Sequence, residues 1–432
     1  MAKYLIVGGV AGGATTAARL RRNDEKAEIV LFEKGEYISY ANCGLPYYLG
    51  GTIADRSRLF VQTPESFNEL LNVDVRNLSE VLSVNRKAKT VKVKNLRDGS
   101  EYEENYDKLV LSPGADPVKP PLDGIESKRI FTIRNVRDTD AIKAFLDTHR
   151  PKRAIVVGAG FIGLEMAENL HEAGVFVTIV EMAAQVMTPL DYEMAAEVHQ
   201  HLKVKGVEFY LKDGVSSFKE TPENITMKLN SGQKLEADMV ILSIGVRPDS
   251  VLAKEAGLEI GPTRGIKVDK YLATSDPDIY AVGDAIEFPS PITGVPTITY
   301  LAGPANKQGR ICADNIAFGN KSEYRGAIGT AVAKVFDLTV AATGVSEKVL
   351  SKEKIPFQSC ITHSSSHAGY YPGATAMSIK ILFSPDDGRL YGGQIVGYEG
   401  VDKRIDTIAT VIRRGGSIAD LTEIEHAYAP PY

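Results

Sequence analysis

The sequence predicts an α/β protein with two Rossmann-like dinucleotide-binding domains, each followed by a β-meander, and a C-terminal α+β domain. Three observations predict it. A strand, a glycine turn, a helix and a second strand closed by an acid occur twice, over residues 4–33 and 154–181. A polar strand-and-turn stretch follows each time, near 75–110 and 206–245. From about 325 the pattern changes to period-two alternation around the turn signal Asp387-Gly388, and then to helices. Alternating β and α elements imply parallel sheets covered on both faces. The boundaries that follow are 1–149 with 246–324 for the first domain, 150–245 for the second and 325–432 for the third.

The elements follow in order. "YLIV" reads as a buried parallel strand running into "GGVAGGATTAARLRR". Gly8, Val10, Ala11, Gly12 and Gly13 form the turn, with Val10 where the fingerprint expects its second glycine. The strand "AEIVLFEK" places Glu33 where a carboxylate meets a ribose. In the second unit, "GAGFIG" carries the full fingerprint. Gly158 permits the tight turn, Gly160 lets a pyrophosphate approach backbone, and Gly163 lets helix pack on strand. Glu181 closes the next strand, which favours NADH over NADPH. A dinucleotide site earlier in the chain points to FAD. So does "TSDPDIYAVGDA", where a short strand ends at Gly283-Asp284 and the carboxylate can hold a ribityl hydroxyl. This arrangement resembles the two-dinucleotide-binding-domain flavoproteins along the whole chain. The resemblance implies a helix whose first turn, Ala302–Ala305, points at the flavin pyrimidine edge, where its positive end stabilises a reduced flavin.

Composition narrows the class. Hydrophobic residues make up 44% and charged residues 24% of the 432 residues, and the net charge is −5. That balance argues against a nucleic-acid surface and a polybasic membrane anchor. No apolar run approaches the ~20 residues that span a bilayer. The start "MAKYLIVGGVAGG" leads straight into a strand and does not read as a signal peptide. Three separated cysteines suggest neither a disulfide framework nor a zinc site, and the expected compartment is a reducing cytoplasm. His363, His367 and His426 lack metal-ligand spacing and read as surface residues, so no metal is expected.

"YISYANCGLPYYLGG" holds one cysteine, Cys43, after a strand-like "YISYA" and where a helix could begin. Thiolates form near helix N-termini and positive charge. With FAD assigned, Cys43 is the candidate redox sulfur. Without a nearby partner cysteine, its oxidised form is either a mixed disulfide with a small thiol or a sulfenic acid. Cys312, in a predicted helix, and Cys360, at a strand end, read as structural.

"SYANCGLPYY", "AGPANKQGR", "KVFDLTVAATG", "YYPGA", "DKRID" and "YAPPY", together with the first glycine turn, closely resemble CoA-disulfide reductases and the related NAD(P)H-dependent CoA persulfide reductases. The resemblance implies a homodimer, a C-terminal dimerisation domain, and a resting mixed disulfide between Cys43 and coenzyme A. It places Thr15, Arg19, Arg22, Ser39 and Asn42 at substrate contacts. Arg19 and Arg22, three apart on a helix, suit the CoA phosphates. It also implies that Tyr370 and Tyr428 reach the active cysteine of the other subunit, where a phenol can protonate a leaving thiolate. Tyr370 is the one of the pair Tyr370/Tyr371 that fits the motif, and it stands at the substrate as well.

Three departures qualify the resemblance. Leu71 stands where CoA-disulfide reductases can carry a lysine, which looks more like the persulfide-reductase branch. Ala11 stands where related NADH peroxidases and oxidases carry a histidine, which disfavours peroxide chemistry. The chain stops at "YAPPY", where relatives run further and persulfide reductases often add a rhodanese domain, so a short form or a trimmed chain is expected. The rival activities are an NADH oxidase using Cys43 as sulfenic acid and a flavin-bearing redox sensor switched by Cys43.

Overall fold

The computed structural model describes residues 1–432. Eleven α-helices punctuate the chain: α1 (Ala11–Asn23), α2 (Leu45–Leu49), α3 (Pro64–Leu71), α4 (Val136–His149), α5 (Phe161–Glu172), α6 (Tyr192–Val204), α7 (Val251–Glu255), α8 (Ala302–Phe318), α9 (Glu347–Lys352), α10 (Val401–Arg414) and α11 (Ile418–Glu423). They divide between two compact units. One comprises Met1–Gly44, Asp55–Asp116 and Val246–Ala327; the other Leu45–Ala54, Pro117–Gly245 and Ile328–Tyr432.

In the first unit, the apolar run Lys3–Val7 sits between Lys108–Leu111 and Glu28–Glu33 in a five-stranded parallel sheet, ordered 279–281, 108–111, 3–7, 28–33, 74–77. Strands flanked on both sides are hydrophobic throughout, as a doubly covered sheet requires. Leu5, Ile6, Val30, Leu31, Leu109 and Val110 are fully buried. The three strands Ser79–Asn85, Thr90–Asn95 and Glu101–Asn105 form the expected meander. Because strand order reverses beside Lys3–Val7, the carboxyl ends of the strands form a ligand crevice there.

The second unit repeats the scheme. Arg153–Val157 pairs with Phe176–Glu181 and Met239–Leu242 in a five-stranded parallel sheet, and Val215–Glu220, Ile225–Leu229 and Lys234–Ala237 form its meander. The same unit holds a five-stranded antiparallel sheet, ordered 331–335, 338–344, 390–397, 376–383, 358–365, with α10 packed on it.

Sequence texture sets residues 325–432 apart as a domain; in the structure 328–432 fall in one unit with 117–245, joined by buried polar bonds. Glu168 on α5 accepts the Phe336 N–H at 2.9 Å and pairs with Lys334. Asp191 exchanges two hydrogen bonds with Gln394, at 2.7 and 2.6 Å. Lys380 is wholly buried; its Nζ lies 3.1 Å from Asp191, 2.8 Å from Glu347 and in contact with Glu193. Residues 45–54, inside the first expected domain by sequence, also belong to this second unit.

Candidate active site

The two glycine turns are built alike. Gly8 and Gly158 both have φ +97°, and a Cβ at either would lie 2.1 or 2.4 Å from a carbonyl oxygen, of Ser112 or Ser243. A Cβ at Gly13 or Gly163 would lie 1.9 Å from the carbonyl oxygen five residues earlier, so any side chain there pushes helix from strand. Glu33 accepts the Gly9 N–H at 2.8 Å and the Gly35 N–H at 2.7 Å. Glu181 does the same with Ala159, at 2.8 Å, and Ala183, at 2.7 Å. Both carboxylates are thus fixed at strand ends. A Cβ at Gly160 would meet no atom within 4 Å, which leaves the space a pyrophosphate needs over the α5 N-terminus.

In the first unit, Val10 is the N-terminal cap residue of α1, which begins at Ala11. Gly283, at φ +83°, starts a 3-10 turn that includes Asp284, and its N–H donates to Gln308 Oε1 at 2.7 Å. Helix α8 begins at Ala302 without a side-chain cap, leaving its first N–H groups and positive end available. These residues fit a dinucleotide held along α1, with a ring system near the start of α8.

The expected substrate contacts do not behave as one set. Thr15 donates to Asn306 Oδ1 at 2.8 Å, and Arg19 binds Asp314 through Nε at 2.7 Å and Nη2 at 3.3 Å. Both partners lie on α8, which packs closely on α1 because Gly309 presents no side chain to Gly12 and Thr16. The Asp314 hydrogen bond also raises the Arg19 pKa. Arg22 is exposed. Sequence spacing gave Arg19 and Arg22 one role; the structure gives Arg19 a partner within the fold. Leu71 ends α3 and packs against the core.

"YISYA" forms no strand. Ser39 takes a left-handed φ of +44°, and its N–H donates to Gly9 O at 2.8 Å, joining this loop to the first glycine turn. Cys43 is exposed in the 3-10 turn Asn42–Gly44, immediately before α2. Asn42 Oδ1 is buried with no hydrogen-bond donor in the protein. Cys312 is buried in α8, and burial raises its pKa far out of the working range. Cys360 is the third residue of the edge strand Gln358–Ser365 and is exposed.

Tyr370 and Tyr428 meet in the second unit with their hydroxyls 2.8 Å apart. Two groups escaped sequence reasoning. Glu165 on α5 lies just after the glycine turn, and burial, reinforced by Glu168, pushes its carboxyl up to about 7. The acid in the otherwise apolar "GFIGLEM" was its only signal. Lys380, at an inward position of "AMSIKILF", was the other. The oxygens of Asp191, Glu193 and Glu347 cluster as metal ligands would, but they converge on the Lys380 ammonium.

Residues 2–309 match the pyridine nucleotide-disulphide oxidoreductase family and residues 330–432 its dimerisation domain. The chain belongs to this family and is an oxidoreductase enzyme; the family implies FAD and NAD(P)H, and the dimerisation domain suggests a homodimer. Within the family it is similar to the coenzyme A disulfide reductase of Staphylococcus haemolyticus, with 37% identity over 100% of this chain and 96% of that protein. Its fold matches the crystal structure of reduced Bacillus anthracis CoADR-RHD, with 52% identity, TM-score 0.98, and coverage of 100% of this chain and 77% of that one. It also matches an NAD-dependent persulfide reductase from A. fulgidus, with 39% identity, TM-score 0.96, and coverage of 100% of this chain and 80% of that one. No helix is long and apolar enough to cross a membrane.

Proposed function

We propose that this enzyme reduces CoA persulfide or CoA disulfide with NAD(P)H through Cys43 as its single redox-active cysteine. The observation that carries the reading is the exposed Cys43 on a turn hydrogen-bonded back toward the first glycine turn through Ser39. The similarity to CoA disulfide and persulfide reductases supports the substrate class. The buried Asn42 Oδ1, an acceptor lacking a donor, supports a polar ligand beside Cys43.

FAD, when bound, relays two electrons from the nicotinamide to sulfur. The Cys43 thiolate attacks the CoA-bound sulfur of the substrate. A Cys43–CoA disulfide forms, the substrate S–S bond breaks, and CoA thiolate or hydrosulfide leaves. Two electrons and a proton then return Cys43 to the thiolate and release CoA. For the persulfide the sum is one NADH and one proton consumed, and CoA and hydrogen sulfide produced. Tyr370 and Tyr428, brought by a second copy of the chain, hold the proton for the leaving sulfur. Their mutual hydrogen bond uses one hydroxyl hydrogen and leaves the other for a thiolate.

Anaerobic NADH oxidation by FAD-loaded protein, comparing CoA persulfide with CoA disulfide and with Cys43→Ser alongside, tests this reading. Cysteine-dependent turnover that is faster on persulfide gives the apolar Leu71 a specificity role; the reverse makes the disulfide the substrate. No turnover on either, with NADH consumed once air is admitted, replaces the proposal with an oxidase using Cys43 sulfenic acid.

A further inference from the structure

Cys43 stands where the chain passes from one compact unit to the other, between Gly44 and Leu45. On its amino side the loop is tied to the first unit by the Ala41 N–H to Leu59 O bond, at 2.8 Å. On its carboxyl side α2 buries Leu45, Pro46 and Leu49 and is closed by the Gly50 N–H to Pro46 O bond, at 3.0 Å. This short helix packs against α4 and α5. At Gly50, the residue after α2, a Cβ would lie 2.3 Å from Asn169 Oδ1 and 2.9 Å from Asn169 Cβ. Asn169 is a fully buried polar residue inside α5, its amide donating to Glu165 O at 2.8 Å. Asparagine is a poor choice for a helix interior on propensity grounds, so its place here rests on what it touches.

Helix α5 is also the helix whose N-terminus forms the dinucleotide turn. Asn169 lies nine residues after Gly160, about 14 Å along the same rigid element at the α-helical rise. We propose that Asn169 and Gly50 form a positioning contact through which the dinucleotide-binding helix sets the placement of Cys43, so that the reactivity of Cys43 depends on dinucleotide occupancy. This rests on the reading of Cys43 as the redox sulfur. Neither residue belongs to the glycine turn or to the cysteine turn; both act through the five-residue helix that follows the cysteine turn. A side chain at Gly50 drives α2 away from α5, while loss of the Asn169 amide lets α2 settle toward it. Either change moves the sulfur, and misplacement by about 1 Å suffices to cost orders of magnitude in rate.

The test uses full-length, FAD-loaded, reduced enzyme. Iodoacetamide alkylation is followed at the Cys43 peptide by mass spectrometry, which separates it from exposed Cys360, with and without NAD+. Wild-type Cys43 is expected to change its alkylation rate by about fivefold or more on NAD+ binding, a coupling of ordinary allosteric size. In Asn169→Ala and Gly50→Ala the ratio falls to about one, while NAD+ affinity and NADH-driven flavin reduction stay within about twofold and CoA release slows about tenfold. The double variant, which removes the 2.3 Å approach, recovers part of the loss. Should either variant fail to fold, amide exchange of residues 45–54 in wild-type enzyme decides. Protection on NAD+ binding supports the contact, and its absence overturns it. A wild-type alkylation ratio of one, or variants that keep the wild-type ratio, also overturns the proposal. An intact ratio in an enzyme that turns over neither CoA substrate sinks the substrate reading and leaves the coupling standing.

Discussion

The hydroxyls of Tyr370 and Tyr428 lie 2.8 Å apart, yet the two side chains are 76% and 71% exposed. Tyrosines are enriched at protein interfaces, where the ring is covered and the hydroxyl keeps a polar partner. The hydrogen bond to Tyr428 also raises the Tyr370 pKa above the ordinary phenol value. Tyr370→Phe should therefore lower kcat with a CoA substrate by about 10²-fold, as for loss of a general acid. NADH reduction of the flavin should be unchanged. A variant slowed in both half-reactions would show that the tyrosine shapes the protein rather than moving a proton.

Glu165 makes stability depend on pH in a defined direction. Its carboxyl is held near 7 in the folded chain, against a usual value of 4.5. Between those values the folded chain binds the extra proton, so stability falls as pH rises from 4.5 through 7. Glu165→Gln, neutral at every pH, should flatten that slope. Urea unfolding at pH 5 and pH 7.5 measures it. A wild-type slope that survives the substitution would assign the titration to another group.

These two sites divide according to how far a sequence pattern reaches. The parallel strands, both glycine turns, Glu33 and Glu181, and the α8 start at Ala302 were legible because each depends on contiguous residues. The Arg19 ion pair was not legible because its partner, Asp314, lies on another helix far along the chain. "YISYA" carries strand-forming residues, but the loop's tie to Gly9 and the left-handed Ser39 override local preference. The membership of residues 45–54 in the second unit could not be read at all, since it is decided by packing on α4 and α5.

Arg22 and Arg19 should separate in binding experiments. Arg19 already spends its guanidinium on Asp314, whereas Arg22 is exposed. If CoA phosphates lie along α1, Arg22→Ala raises the KM for CoA substrates about tenfold, the value of a charge-assisted hydrogen bond. Arg19→Ala should act mainly on stability. Thermal melts beside KM values for both variants check this, and equal KM effects would return Arg19 to the substrate.

Lys380 is surrounded by Asp191, Glu193 and Glu347 in the second unit. Burial works against its charge, but hydrogen bonds to Glu193, Glu347 and Asp191 prevail and hold the pKa above the usual 10.5. Its stabilisation is thus fully present at neutral pH and fades only as pH climbs past that value. Lys380→Met leaves three carboxylates without their cation and should cost about 3–5 kcal/mol, as for breaking a buried ion pair. Added divalent cation would restore part of that loss if the acids can close around a metal. A melting temperature equal to wild type would show that the cluster contributes nothing net.

Gly160 and Gly163 offer the sharpest contrast between a binding glycine and a folding glycine. A Cβ at Gly160 meets nothing within 4 Å, so Gly160→Ala should leave the unliganded melting temperature unchanged. The same methyl occupies the space over the α5 N-terminus where a pyrophosphate would lie, so the KM for NADH should rise. At Gly163 a Cβ comes within 1.9 Å of Gly158 O and 2.8 Å of Ser243 Oγ. Gly163→Ala must therefore shift helix against strand, at about 1–3 kcal/mol for overpacking. Melts without dinucleotide and NADH titrations with it read the two effects independently. If Gly160→Ala loses stability without dinucleotide, the open space over its turn is structural, and the pyrophosphate lies elsewhere.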